Sequence, residues 1–281
     1  MRLSPATRNL LRGGVFITLA FIYIPLIVIA IYAFNGGTTL EWPPPHLTAH
    51  WFSDAIQNSG ARDALWTSVK VGLVATGVAL LLGSLASFAV ARYRFFGRET
   101  ISFLVVLPIA LPGVVTGVAL SNTFTQVLGV DLSLLTVIAG HATFCIVVVY
   151  NNVIARLRRV SGNLEEASAD LGAHTWQTFR HVTLPSIQTA LVAGGLLAFA
   201  LSFDEIIVTN FVIGAGEQTL PIWIFSNLFR PHNLPIVNVV AVIVVLLSII
   251  PVYLAHRLTR EEGVSARAGG AGAIAESTAV P

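Results

Sequence analysis

Few residues in this chain of 281 have both the type and the placement to do chemistry. Two carboxylates, Asp204 and Glu205, stand in an apolar run from Gln188 to Asn210. An ionisable group at a bilayer centre costs about 2.5–3.5 kcal/mol on insertion scales, so it usually faces a bundle interior or water. A cation could be met there. Asp204 precedes the end of that run by roughly 9 Å of helix, which softens the cost. On a continuous helix, Gly195, Ala198, Ser202, Glu205 and Thr209 recur in steps of three and four, making one face of small and polar residues. Asp204 falls with Ala193, Leu197, Ala200 and Val208 on a more apolar face. Glu205, with Ser202 on its face, is therefore expected to line a pathway, and Asp204 to bond a neighbouring helix. A purely structural role for both acids stays open.

The remaining candidates point to packing. His141 lies in an apolar run, where a hydrogen bond to a neighbouring helix is expected ahead of ligation or proton relay. Cys145 is the single cysteine, so no internal disulfide can form, and it reads as a small inert hydrophobe. His46 and His50 are four apart, a spacing that suits a metal on a helix. The run Pro43-Pro44-Pro45 argues against a helix at His46, and no carboxylate or cysteine completes a ligand set, so solvated loop histidines are expected. There is no G-x4-G-K-[S/T] loop to cradle phosphate, no H-E-x-x-H and no paired-cysteine pattern. The expectation is a chain with no catalytic residues, no metal and no cofactor of its own.

The elements that position these residues are membrane spans. Apolar residues make up 55% of the chain and charged residues 11%, with mean hydropathy +0.79, far from the composition of a soluble domain. The reading is an all-α polytopic membrane protein of six transmembrane helices, at about 15–34, 65–91, 101–128, 134–154, 188–210 and 236–254. Residues 1–14 form a basic N-terminus. The first run is too long for a signal-peptide core, so it is taken as an uncleaved span, kinked near Pro25. Span two carries Gly72, Gly77, Gly83 and Ala86, small residues that let helices approach closely in lipid. Span three carries Pro108, Pro112, Gly113 and Gly117, which fit either a broken helix beside a pathway or a packing kink. Residues 211–235 are expected to hold a short surface helix around Trp223 and Phe225. The span-bearing body, 15–260, ends there, and the Gly/Ala/Ser-rich segment 261–281 reads as a disordered tail.

Six spans place thirteen of the sixteen basic residues on one side, leaving only Arg62, Lys70 and Arg230 on the other. The positive-inside rule then puts both termini, the tail and residues 155–187 in the cytoplasm. The pI near 9.0 follows from this bias, so no nucleic-acid partner is implied.

Between spans four and five, residues 155–187 are too polar for lipid and too apolar to stay uncovered. Ser161 or Asn163 can cap a short helix whose first turn holds Glu165 and Glu166. Gly172 fits the turn that stops it. A second segment carries Trp176, Phe179 and Val182 on one side, and Pro185 opens the next apolar run.

Here the chain resembles the binding-protein-dependent ABC-importer permeases. Glu166-Ala167-Ser168, Gly172 six residues after Glu166, and Val182-x-Leu184-Pro185 are similar to that family's EAA loop, with Ser168 for the second Ala and Val182 for Ile. The resemblance implies a cytoplasmic coupling helix seated in a groove of an ATPase subunit, with Glu166, Ala167, Ser168, Gly172, Leu184 and Pro185 as the coupling residues. Ala198 to Thr209 followed by Thr219-Leu220-Pro221, and Leu107 to Gly113, resemble the spermidine/putrescine-type branch. It further implies a multi-pass protein of the bacterial plasma (inner) membrane. Its expected partners are an ABC ATPase dimer, a second, non-identical permease, a periplasmic or lipid-anchored solute-binding protein and membrane lipid. The expected solute is putrescine or spermidine. Iron, phosphonate, thiosulfate or an opine is the alternative, and a non-transport membrane protein with a partner-docking loop is the more distant one.

Overall fold

The computed structural model describes residues 4–39, 41–230, 233–249 and 253. The last residues of the sixth expected span and the whole of the tail from 261 lie outside the described residues. Secondary structure among the described residues is helical, apart from one isolated bridge between Asn35 and Leu47. The chain divides into two units, Met1–Arg62 with Trp223–Ile249, and a larger one built on Asp63–Ile222.

In the smaller unit, α1 spans Pro5–Ala33. Ser4 Oγ accepts the Thr7 N–H at 3.2 Å and Pro5 opens the first turn, so the helix starts ten residues before the expected span. It continues through Pro25 as one helix. Its apolar side chains, Phe16 and Phe21 among them, are exposed on a scale that lipid accepts and water does not. The expected polar connection is organised around the buried Asn35. Its side chain bonds Thr39 O at 2.8 Å, and its own carbonyl takes the Trp51 indole N–H at 2.8 Å. Helix α2, His50–Gln57, follows. His50 therefore stands at the first position of a helix and not in a loop, still solvated and paired with Asp54 at 3.2 Å, whereas His46, where the triple proline argued against a helix, lies outside one.

Helix α3 runs Ser59–Arg92, from the smaller unit into the larger. Asn58 Oδ1 accepts the Ala61 N–H at 2.9 Å, which starts the helix six residues before the expected Leu65. Helix α4, Arg98–Ala110, and α5, Gly113–Asn122, replace the single third span with a pair bent by 106°. A proline disfavours the helical region for the residue before it, and Leu111 is accordingly extended, with φ −84° and ψ 143°. Pro112 is extended too, at ψ 134°, so the chain changes direction over two residues.

Helix α6, Leu134–Leu157, covers the run expected at 134–154 and is the buried centre of this unit. Val137, Cys145, Val149, Val153 and Leu157 form its core with Val71, Ala79, Ile187 and Ala198. Close packing rests on the small residues in part. A Cβ on Gly83 would stand 2.9 Å from Ile146 O, and one on Gly72 2.8 Å from the Phe199 ring, whereas Gly77 meets nothing within 4 Å. Gly117 of α5 likewise receives Phe211.

Helix α7 is Asn163–Asp170 and α8 is Thr175–Thr178. A π-turn over Phe179–Thr183 joins α8 to α9, Leu184–Phe203, in one helical run of 29 residues. Helix α10, Ile207–Val212, comes after a break, so the fifth span does not continue to Asn210 as one helix. Helix α11, Leu220–Leu228, begins with its Leu220 N–H bonded to Ser68 Oγ at 2.8 Å. It is less superficial than expected, since Leu220 and Trp223 are buried while Phe225 is exposed. Helix α12, Leu234–Ile249, is apolar over its described length. By length and composition, α1, α3, α6 and the 175–203 run can cross a membrane, and the bent pair makes up to five.

Candidate functional site

Two places combine polar chemistry with an interruption of the apolar helices. The first is the α6–α9 loop. Neither expected cap holds the N-cap position: that is Gly162, Asn163 is already inside the helix, and Ser161, one residue earlier, accepts the Asn163 N–H at 3.3 Å. At the other end the Gly172 N–H bonds Ala169 O at 2.8 Å and the Ala173 N–H bonds Ser168 O at 3.1 Å. This pair of bonds is a Schellman closure, and it puts Gly172 at φ +86°, where a side chain is strained. Helix α8 is closed by a reciprocal pair, His174 N–H to Gln177 Oε1 and Gln177 N–H to His174 Nδ1.

The loop residues sort by direction. Glu166 and Ala167 are exposed, together with Leu164 (51%), Leu171 (89%) and Trp176 (61%). Trp176 stacks on Phe179, which meets Phe88 of α3 edge-on. Ser168 turns inward, 3.0 Å from Thr178 Oγ1, and folds α7 onto α8. Leu184 and Pro185 are apart from these, in the first turn of α9. Pro185 has no N–H for the carbonyl four residues back and its ring would crowd it. The turn before it is widened, with the Leu184 N–H bonded to Phe179 O, an i to i+5 bond. Sequence reasoning missed Glu165, which accepts from Arg92 Nη2 and from Thr183 Oγ1, both at 3.0 Å. No spacing rule links positions 92, 165 and 183.

The second place is the break after Phe203. Asp204 caps α9, its N–H bonded to Ala200 O at 3.2 Å, and its side chain is exposed. Glu205 Oε1 accepts the Val208 N–H at 2.8 Å, so this carboxylate starts α10. His141 is fully buried and bridges the break. Its Nδ1 is 2.7 Å from Ser202 Oγ and its Nε2 is 2.8 Å from Thr209 Oγ1. Thr209 Oγ1 donates to Glu205 O, so it accepts from the imidazole, and Nε2 carries a hydrogen. His141 thus takes its expected role as a partner of a neighbouring helix.

The face argument for Glu205 and Ser202 needs correction. Ala198, Ser202 and Thr209 are buried inside the unit, not on an open surface. The small-and-polar stripe packs against α6, where Cys145 Sγ–H meets Ala198 O at 3.3 Å. Extending helical phase through residue 209 assumed a helix that stops at 203. Among the described residues no three His, Cys, Asp or Glu side chains are placed to hold a metal ion.

With this geometry in view, residues 79–261 match the model of the family described as "binding-protein-dependent transport system inner membrane component". The chain belongs to this family. It is 32% identical over 257 residues to the spermidine/putrescine transport system permease protein PotC of Haemophilus influenzae, covering 91% of this chain and 98% of that one. To the putrescine transport system permease protein PotI of Escherichia coli K12 it is 32% identical over 231 residues, 80% and 81% of the two chains. A putative 2-aminoethylphosphonate transport system permease protein, PhnV of Salmonella paratyphi A, is 31% identical over 74% of this chain and 78% of its own length. Among solved structures, a bacterial alginate ABC transporter, in complex with its alginate-pentasaccharide-bound periplasmic protein, shares the fold. The TM-score is 0.71 at 14% identity, with 91% and 94% of the two chains covered. This permease is a multi-pass membrane protein and a transport subunit, not an enzyme, and ATP hydrolysis belongs to a separate ATPase.

Proposed function

We propose that this permease forms half of the translocation pathway of an ATP-driven importer for a polyamine, putrescine or spermidine. The observation that carries the solute class is the 32% identity to PotC over 91% of the chain. In this reading α1, α3, the bent α4–α5 pair, α6, the 175–203 run and the helix that begins at Leu234 are the six spans. Both termini lie in the cytoplasm of a bacterium whose inner membrane holds the complex. Residues 15–260 are the permease domain. The exposed Glu166, Ala167, Leu171 and Trp176 form the surface that seats on one subunit of an ATPase dimer, and Ser168, Gly172, Leu184 and Pro185 shape that surface. A second, non-identical permease completes the pathway, and a periplasmic or lipid-anchored binding protein delivers the solute. Of the pathway candidates, Asp204 is the one with its side chain exposed; Glu205 and Ser202 spend hydrogen bonds on the break.

Thermal unfolding of the cognate binding protein tests the solute. Putrescine or spermidine should raise its Tm. A shift with 2-aminoethylphosphonate alone would favour the phosphonate reading, which the likeness to PhnV supports. The family match sets aside a non-transport membrane protein.

A further inference from the structure

Two adjacent acids of α7 point in different ways. Glu166 faces outward, while Glu165 reaches back into the unit and brings three elements together on one oxygen. Arg92, the last residue of α3, and Thr183, in the π-turn that leads into α9, both donate to Glu165 Oε1 at 3.0 Å. Thr183 is buried, and the Arg92 and Glu165 side chains are 23% and 25% exposed. Arg92 Nε is buried without a hydrogen-bond partner, and Glu165 is the one side chain to which the guanidinium bonds among the described residues. Helix α7 itself has no buried residue. A two-turn helix without a buried side chain has little packing to make it move as one body with its neighbours. Its polar links are therefore what a push on its outer face must act through. Among the described residues, Arg92–Glu165 is the one side-chain hydrogen bond from α7 to α3, and the 175–203 run is reached from Glu165 and from Ser168.

We propose that Glu165 is the transmission residue of this permease: it passes a displacement of α7 to α3 through Arg92 and to α9 through Thr183. It is a positioning residue, separate from the outward surface that contacts the ATPase. The inference rests on the reading that α7 docks an ATPase subunit. A charge-assisted bond suits the task because it is directional and resists being pulled apart.

The test uses the assembled complex with its ATPase and binding protein. In Glu165→Ala the ATPase subunits stay bound on purification and basal ATP hydrolysis is unchanged. Uptake, and the stimulation of hydrolysis by solute-loaded binding protein, fall about tenfold, within the range of ordinary coupling free energies. Arg92→Glu alone behaves the same way, and the exchanged pair Arg92→Glu with Glu165→Arg regains most of both activities. Wild-type uptake in Glu165→Ala overturns the proposal. So does loss of the ATPase subunits from Glu165→Ala, which would make Glu165 part of the docking surface, and so does an exchanged pair no better than its single variants. The docking reading fails by a different result, full ATPase retention and uptake in Gly172→Val, whatever Glu165 does.

Discussion

The α7–α8 loop and the α9–α10 break are both polar interruptions of an apolar chain, yet they handle their side chains in opposite ways. The loop leaves Leu171 and Trp176 exposed beside Glu166 and turns a few polar groups inward, with Glu165, Ser168 and Thr183 bonded to one another's elements. The break buries its polar groups, Ser202, Thr209 and His141, and satisfies each of them within the unit. Apolar surface that a folded loop does not cover is surface kept for a partner. Polar groups that a membrane helix buries and bonds are the means by which an interrupted helix holds its shape. On the proposed reading, the loop serves association and the break serves geometry.

That assignment can be broken most sharply at Gly172. Its Cβ position is open, with nothing within 4 Å, so a side chain there acts through the backbone alone. At φ +86° an L-residue costs about 1–2 kcal/mol, and more if β-branched. An eight-residue helix without buried residues cannot absorb that strain. Gly172→Val should abolish uptake and release the ATPase subunits while the permease still inserts. Gly172→Asn, which tolerates the left-handed region, should retain much of both. Equal loss in the two variants would remove backbone conformation as the cause.

The break predicts a smaller effect of another kind. His141→Ala leaves Ser202 and Thr209 buried without their shared partner and opens a cavity. The expected cost is about 2–4 kcal/mol of stability, less if the hydroxyls find substitutes in the bundle. It should appear as a lower Tm of the purified complex, with ATPase retention unaffected. His141→Gln, able to bond one of the two hydroxyls, should fall between. A His141→Ala complex that unfolds at the wild-type temperature would mean that the bridge holds nothing.

How far each region was legible follows from the range of its interactions. The loop is local: Gly172 closes a turn within a few residues, so the turn chemistry read correctly, while the cap fell on Gly162 between the two residues expected for it. Its Arg92–Glu165 tie joins residues 73 apart, and no periodicity reports such a pair. The bend after Leu111 was foreshadowed by Pro108 and Pro112, although its size depends on two successive extended residues. The break after Phe203 has neither proline nor glycine to announce it. Its signal was the acidic pair itself. A carboxylate three residues before Val208 is an N-terminal cap in waiting, but in an apolar run it invites a functional reading first. His141 was readable as a packing residue, whereas the identity of its partners required α6, α9 and α10 to be placed together.

The smallest expected effect separates the two acids. Helical phase favoured Glu205 as the group that meets a cation, and on the proposed reading the hydrogen bonds at the break favour Asp204. Glu205 spends an oxygen on the Val208 N–H and its carbonyl on Thr209, both of which set the start of α10. Asp204 is exposed and makes no side-chain hydrogen bond or ion pair among the described residues, which on the proposed reading leaves its charge to a solute. Asp204→Asn should raise the half-saturating concentration for a diamine severalfold, with the complex intact and its Tm unchanged. Glu205→Gln keeps a carbonyl oxygen that can still accept the Val208 N–H. Its expected change is a Tm lowered by about 0.5–1 kcal/mol worth of weakened cap, with half-saturation near the wild-type value. The comparison requires both variants in one preparation, measured for uptake and for thermal unfolding. Should Glu205→Gln shift half-saturation while Asp204→Asn does not, the pathway acid is Glu205 after all, and the cap is incidental to it.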